Sequence, residues 1–228
     1  MENICKNLNI RGESLKLFDI KTSNTLSILD SEFNKFGEYI LADTINFKKD
    51  DVILDIGANV GTTSIYFAKK FPMVKIYAFE PVYYTWKNLK RNLHINNVKN
   101  IVHCENLACS KESNNFLTLR LDPYNSGATS SINNLNQNKK TTHKFNVKTI
   151  SLDDIFKKFN IKKVKLLKID CEGAEFDILY NSKQLQDGNI EYIVGEIHSF
   201  DDKKNNKKSL LEYLEKYIDK GKMSWVSQ

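Results

Sequence analysis

From residue 52 onward, short β-branched apolar runs alternate with segments whose apolar positions recur at helical spacing. Val52 to Ile56 (VILDI) is apolar apart from one acid and stops at Gly57, which predicts a buried strand. Thr62 then offers an N-cap for a helix carrying Ile65, Phe67, Ala68 and Phe71, with Pro72 after its end. Val74 to Phe79 predicts the next strand, halted by Glu80-Pro81. Across 82–96, Val82, Trp86, Leu89 and Leu93 share one helical stripe, and Ile101 to Glu105 is a third strand.

The alternation then breaks. Phe116 to Leu121 and Phe145 to Ile150 read as strands on either side of a polar stretch, 122–144, rich in Asn, Ser, Thr and Lys. This predicts an antiparallel pair with a long excursion, suited to a lid or an acceptor contact. Alternation resumes with a helix at 151–159, a strand at Lys165–Ile169, a helix from about Ala174, a strand at Glu191–Ile197 and a helix at Ser209–Ile218. The pattern implies an α/β fold: a parallel sheet covered by helices on both faces. One domain is expected over 51–228, with an insertion at about 110–150 and a strand/helix extension, 1–50, against its core. Ligands in such sheets sit beyond the carboxyl ends of the strands. The polar residues placed there are Asp55 with Gly57–Gly61, Glu80, Glu105–Asn106, Asp170–Glu172 and Glu196–His198.

Composition narrows the class. A chain of 228 residues, 11% aromatic, has enough apolar mass for a real core, and 9 Gly with 3 Pro excludes collagen-like and low-complexity chains. No window approaches the roughly 18 consecutive apolar residues of a membrane span. The first residues, MENICKNLNIRGESLKLF, lack the apolar stretch of a signal peptide. The formal charge of +6 raises the question of a nucleic-acid partner, but only Arg11, Arg91 and Arg120 among the 34 cationic residues are Arg. Arg is the preferred residue for bidentate phosphate and base-edge contacts, so the charge reads as compositional bias and no nucleic-acid partner is expected. Cys5, Cys104, Cys109 and Cys171 form no C-x-x-C pair and read as free thiols of a cytoplasmic protein.

The first strand–helix junction is Asp55-Ile-Gly57-Ala58-Asn59-Val-Gly61. Glycines let the backbone turn tightly and approach a ligand at a helix N-terminus, although a tight turn alone also accounts for them. The spacing lacks both the G-x-G-x-x-G of dinucleotide enzymes and the Lys-Ser/Thr of a P-loop. Glu80, 19 residues beyond Gly61, ends the second strand, where an acid bonds a ribose diol in dinucleotide folds. With Asp55, it favours a ligand carrying an adenosine and a cation over a pyrophosphate. S-adenosyl-L-methionine meets that description.

LDIGANVG, AFEP, NLKRNLHINN, LACS, TISLDD, LKIDCEGAEFDIL and VGEIH follow one another over roughly residues 37–198. In that order they resemble the FkbM-type methyltransferases, class I S-adenosylmethionine-dependent enzymes named after an oxygen-methylating enzyme of macrolide biosynthesis. The resemblance implies a Rossmann-like, mostly parallel seven-stranded sandwich. It implies Asp55, Gly57, Ala58, Asn59 and Gly61 on the methionine side of the donor, Glu80-Pro81 on the ribose, and Glu105, Asn106, Leu107 and Ala108 near the adenine. It also implies a small-molecule, sugar or glycan acceptor. One departure stands out: MSWVSQ leaves room for one strand after the last helix where the family closes with two, so the terminal hairpin is abbreviated or the chain truncated.

Methyl transfer to oxygen needs the acceptor held in line and its proton removed. Asp170, Glu172, Glu196 and His198 end the fourth and fifth strands and are the expected catalytic group, with His198 the best single base because its unperturbed pKa is near neutrality. Glu175 suits either this group or simple helix capping. The same side chains could bind a divalent cation, which spacing alone does not separate from a base with carboxylate support; the metal-free form is favoured. Asp122-Pro-Tyr-Asn125 lacks the second Pro of the D/N-P-P-Y motif and reads as a turn. His94, His103 and His143 show no ligand spacing, and DDKKNNKKS (201–209) reads as a solvated approach to a helix. Two other readings remain open: an NAD(P)-dependent oxidoreductase, and a non-catalytic nucleic-acid-binding protein on the same fold.

Overall fold

The structure, a computed structural model, describes residues 2–27, 38–122, 124–131, 143–198 and 206–227. It begins with an antiparallel hairpin, β1 (Asn3–Ile10) and β2 (Glu13–Ile20), paired from Asn3↔Ile20 to Ile10↔Glu13. The two turn residues, Arg11 and Gly12, both have positive φ (49° and 92°), the requirement of a type I′ turn that matches strand twist. Helix α1 (Glu38–Thr44) follows.

The central unit is β3 (Val52–Ile56), α2 (Thr62–Lys70), β4 (Lys75–Phe79), α3 (Tyr83–Ile95) and β5 (Val102–Glu105). It resumes, after the insertion, with α4 (Leu152–Lys158), β10 (Val164–Ile169), α5 (Glu175–Tyr180), α6 (Lys183–Gln186), β11 (Ile190–Ile197), α7 (Lys207–Leu214) and β12 (Met223–Ser227). Its sheet has the order β12-β11-β10-β3-β4-β5, and every neighbouring pair is parallel. Six strands are present among the described residues in place of the seven expected. Only β12 follows the last helix, and it lies parallel to β11 with Glu196 opposite Val226.

Period-2 alternation divides the strands between two cores. Ile53 and Leu166 face a core that contains Ile65, Phe67 and Leu89 of α2 and α3 together with Leu8, Ile10, Leu15 and Leu17 of the hairpin. Leu54, Ile56, Leu167 and Ile169 face the opposite core, with Ile155, Phe156, Phe176 and Leu210. Asp55 and Lys168 are directly opposed in the β3–β10 register, both buried.

The insertion forms a second sheet, β6-β9-β7-β8, from β6 (Ala108–Ser110), β7 (Phe116–Asp122), β8 (Asn125–Ser131) and β9 (His143–Ser151). The expected antiparallel pairing of β7 with β9 is present, from Phe116↔Lys148 to Leu121↔His143. Two strands were not anticipated. β8 is composed of Asn, Ser, Gly, Ala and Thr, with no apolar alternation to mark it, and β6 is three residues long. Asp122 pairs with Asn125 in register, which agrees with the turn reading of that tetrapeptide. The excursion at 132–142 and residues 199–205, with them the first part of DDKKNNKKS, lie outside the described residues. No helix among the described residues is long and apolar enough to cross a membrane.

Candidate active site

The order of the central sheet reverses between β3 and β10: β4 lies on one side of β3 and β10 on the other. Chain crossovers leave that switch point in opposite directions, which opens a crevice at the carboxyl ends of the two strands. The loops beyond them are in direct contact. Asp170 N donates to Ile56 O at 3.1 Å, and a Cβ on Gly57 would stand 1.8 Å from the carbonyl oxygen of Asp170. Gly57, with φ 78°, is therefore required both for its conformation and for the approach of the second loop.

In the first loop three residues take left-handed backbone: Gly57, Asn59 (φ 49°) and Gly61 (φ 93°). Gly61, not Thr62, occupies the cap position of α2, and no side chain caps the helix. The amides of Gly57 and Ala58 donate to Phe79 O, at 3.1 and 3.0 Å, and Asn59 N donates to Glu80 Oε2 at 2.9 Å. Glu80 Oε1 accepts from Val82 N at 2.8 Å. Burial raises the Glu80 carboxyl to about 7, against the pull of those two amides and of Lys168. Each carboxylate oxygen has two lone-pair sites, so Glu80 retains capacity for a further donor. Pro81 is fixed from behind by Asn106, whose Nδ2 donates to Glu80 O and Pro81 O at 2.9 and 2.8 Å.

Beneath the loop lies a pair that hydropathy did not single out for function. Lys168 Nζ sits 3.3 Å from Asp55 Oδ1 and donates to Gly57 O at 2.8 Å, while Ser64 Oγ donates to Asp55 Oδ2 at 2.6 Å. Asp55 thus faces the protein interior, bracing β3, β10 and α2. The signal for Lys168 was visible: a cation set between Leu167 and Ile169 of a central strand, VKLLKI, whose other lysine, Lys165, pairs with Glu191.

Glu105 ends β5 but directs its carboxylate at His103 Nε2 (3.0 Å) and Lys158 Nζ (2.8 Å). Burial opposes its charge, but these two partners prevail and hold its pKa below the ordinary value. Leu107 packs into the second core, and Ala108 is buried in β6. Of the adenine-side expectations, two bond the Glu80–Pro81 turn: Asn106 through its side chain, and Glu105 through its carbonyl, which accepts from Glu80 N at 3.1 Å.

The second loop turns through Glu172 (φ 52°) and Gly173 (φ 103°) into α5. It is tied by Glu175, which is 0% exposed: Oε1 accepts from Cys171 N at 2.7 Å and Oε2 from Gly173 N at 3.0 Å. Glu175 Oε1 also lies 3.3 Å from His198 Nδ1. That contact turns Nε2 toward Glu172 Oε2 (3.5 Å) and Glu196 Oε1 (3.7 Å), and Nε2 itself makes no hydrogen bond among the described residues. Asp170, Glu196 and His198 each offer a ligand atom, all within 4.8 Å of one another, so this is where a metal ion would find ligands. The four expected catalytic residues are thus brought together, and Glu175 joins them as the group that orients the imidazole.

Their electrostatics differ from those of isolated residues. Burial works against a charged His198, but the Glu175 contact and the charges of Glu172 and Asp170 outweigh it and raise its pKa to about 9. Burial, with the neighbouring Asp170, Glu196 and Glu175, raises Glu172 to about 7 despite His198. Cys171 is raised well above a normal thiol, by burial and then by Glu175, and is no nucleophile.

Residues 55–220 match the model of the methyltransferase FkbM domain, most of the chain. The chain belongs to the FkbM methyltransferase family. The cofactor of this family is S-adenosyl-L-methionine. Curated relatives include Methyltransferase 1 of Beauveria bassiana, 32% identical over 152 residues, covering 60% of each chain. The hexuronic acid methyltransferase AglP of Haloferax volcanii is 26% identical over 166 residues, 72% of this chain and 63% of that one. This FkbM chain therefore spans about 60% of the length of the curated relatives it matches. Among solved structures, the tRNA (uracil-54, C5)-methyltransferase of Pyrococcus abyssi aligns with a TM-score of 0.47 at 16% identity, over 86% of this chain and 34% of that one.

Proposed function

We propose that this FkbM-family protein transfers a methyl group from S-adenosyl-L-methionine to a hydroxyl oxygen of a sugar, a glycan or a secondary metabolite. The reading is carried by one juxtaposition: the glycine loop after β3 and the charged turn after β10 touch at Gly57 and Asp170. The first loop has the features the donor needs. Asn59 Oδ1 is a buried acceptor without a hydrogen-bond partner among the described residues, and Glu80 keeps lone pairs for a ribose diol. Gly57, Ala58, Asn59 and Gly61 would hold the methionine half and Glu80 the ribose. When bound, S-adenosyl-L-methionine supplies an electrophilic methyl group on a sulfonium.

The second loop supplies the proton acceptor. His198, raised to about 9, is already protonated at neutral pH, which removes it from the base role expected of an unperturbed histidine. Glu172, raised to about 7, titrates where a general base is most effective. In this reading Glu172 takes the hydroxyl proton as the oxygen–carbon bond forms. His198, aimed by Glu175, stays a cation beside it and balances the charge of Asp170 and Glu196. A sugar acceptor draws support from the likeness to AglP, named as a hexuronic acid methyltransferase.

The test is transfer of label from methyl-labelled S-adenosyl-L-methionine to a panel of free hexuronic acids, glycans and polyhydroxylated small molecules. Label on an acceptor oxygen that requires Glu172 supports the reading. Binding of NAD in place of the sulfur ligand, or label found on nitrogen or carbon, overturns it.

A further inference from the structure

The hairpin β1–β2 precedes the residues that match the family domain, 55–220, yet it shares an apolar core with Ala58 and Val60 of the donor loop and is bridged to that loop by the hydrogen bonds of one side chain, Asn92. Helix α3 presents Asn88, Asn92 and Asn96 at four-residue intervals on one buried face, where an apolar stripe would be the usual choice. Asn92 accepts from Phe18 N at 2.7 Å and donates to Phe18 O at 3.0 Å, so its amide pairs with β2 as another strand would. The same Nδ2 donates to Val60 O at 2.8 Å, inside the Gly57–Gly61 loop. Asn96 repeats the pairing one turn on, with Lys16 N at 3.0 Å and Lys16 O at 2.7 Å, but its other bond goes to Asn92 O within α3. Asn88 meets Asn3 at 2.8 Å. Asn92 alone of the three joins hairpin to loop.

We propose that Asn92 is a positioning residue for the methyl donor, and that through it the N-terminal hairpin forms part of the donor site. The loop has to hold three left-handed residues in five, and left-handed backbone persists only where its surroundings over-determine it. Its N–H groups are fixed by Phe79 O, Glu80 and Ala58 O. On the carbonyl side, Lys168 fixes Gly57 O and Asn92 fixes Val60 O. Val60 is fully buried, so its carbonyl, once released by Asn92, has no water to turn to. Asn92 is itself fully buried and held on β2 by both Phe18 bonds, so it cannot follow the loop outward.

This inference rests on the donor-binding reading above, and Asn96 provides its control. Asn92→Ala and Asn96→Ala each remove two bonds to β2 and should lower thermal stability alike. Calorimetric titration with S-adenosyl-L-homocysteine should then show Asn92→Ala weakened about tenfold or more, and Asn96→Ala by less than about twofold. Asn92→Asp, which retains the shape and the Phe18 N–H acceptor but loses both donated bonds, takes its place if the alanine variant does not fold. Amide hydrogen exchange without ligand reads the brace separately: exchange at Asn59 and Gly61 should quicken in the Asn92 variant and hold steady in Asn96→Ala. Equal effects of the two positions on loop exchange would overturn the proposal whether or not any ligand binds. Absence of sulfur-ligand binding in the wild type, with the exchange difference intact, would instead overturn the donor reading and leave the brace standing.

Discussion

The loop after β3 and the loop after β10 both turn through left-handed residues, and they touch each other, but their side chains are disposed in opposite ways. Around residues 57–61 the bonding points inward: amides to Phe79 O and Glu80, carbonyls to Lys168 and Asn92, and Asp55 enclosed by Ser64 and Lys168. Around residues 170–174 a single buried carboxylate, Glu175, ties the backbone, while Asp170, Glu172, Glu196 and His198 gather on the crevice side. The first loop is shaped before a ligand arrives. The second concentrates charge whose protonation states are set by neighbours, which is where acid–base chemistry is expected.

The largest expected effect of breaking this division is on chemistry. Glu172→Gln should cut turnover roughly 100- to 10,000-fold while leaving S-adenosyl-L-homocysteine affinity within about twofold of wild type, as measured by methyl-transfer assay and calorimetry. Gly57→Ala attacks the contact between the loops. A Cβ 1.8 Å from Asp170 O, on a residue with φ 78°, should cost about 3 kcal/mol or more in denaturant unfolding and abolish donor binding. Glu175→Ala leaves the amides of Cys171 and Gly173 unsatisfied and should cost roughly 2–4 kcal/mol. Glu175→Gln should cost less and still lower the His198 pKa, a change readable by NMR of the imidazole.

The smallest effect is a slope. Glu80 and Glu172 have native pKa values of about 7 against an ordinary 4.5, so the folded state binds more protons than the unfolded state in between. Their contribution to stability is fully present below 4.5 and is lost as pH rises through about 7. His198, at about 9 against 6.5, adds stability that is present below 6.5 and lost as pH rises through about 9. Denaturant midpoints measured across this range should fall with rising pH. Glu80→Gln and Glu172→Gln should each flatten the lower window, and His198→Asn the upper one.

Hydropathy was a good guide where one face of an element meets a core. β3, β4, β10 and β11 lie within a residue or two of their expected bounds, and the β7–β9 pair closed around the polar stretch as anticipated. It was a poor guide where polar groups do the work of apolar ones. Asn88, Asn92 and Asn96 are polar yet buried toward the hairpin, and Trp86, expected in the stripe, is only half-buried. At the site, residue type and strand-end position brought out Glu80, Asp170, Glu172, Glu196 and His198. Charge states were beyond them. His198 looked like a base because an isolated imidazole is one; Glu175, left between two roles, is the neighbour that makes it a cation. Asp55 likewise belongs to an interior pair whose partner, Lys168, was embedded in an apolar strand.

The most direct test is one calorimetric series with S-adenosyl-L-homocysteine on wild type, Glu172→Gln and Gly57→Ala, each confirmed folded. The account predicts stoichiometric binding that survives Glu172→Gln unchanged and disappears in Gly57→Ala. Loss of binding in Glu172→Gln, or no binding by folded wild-type protein, would contradict it.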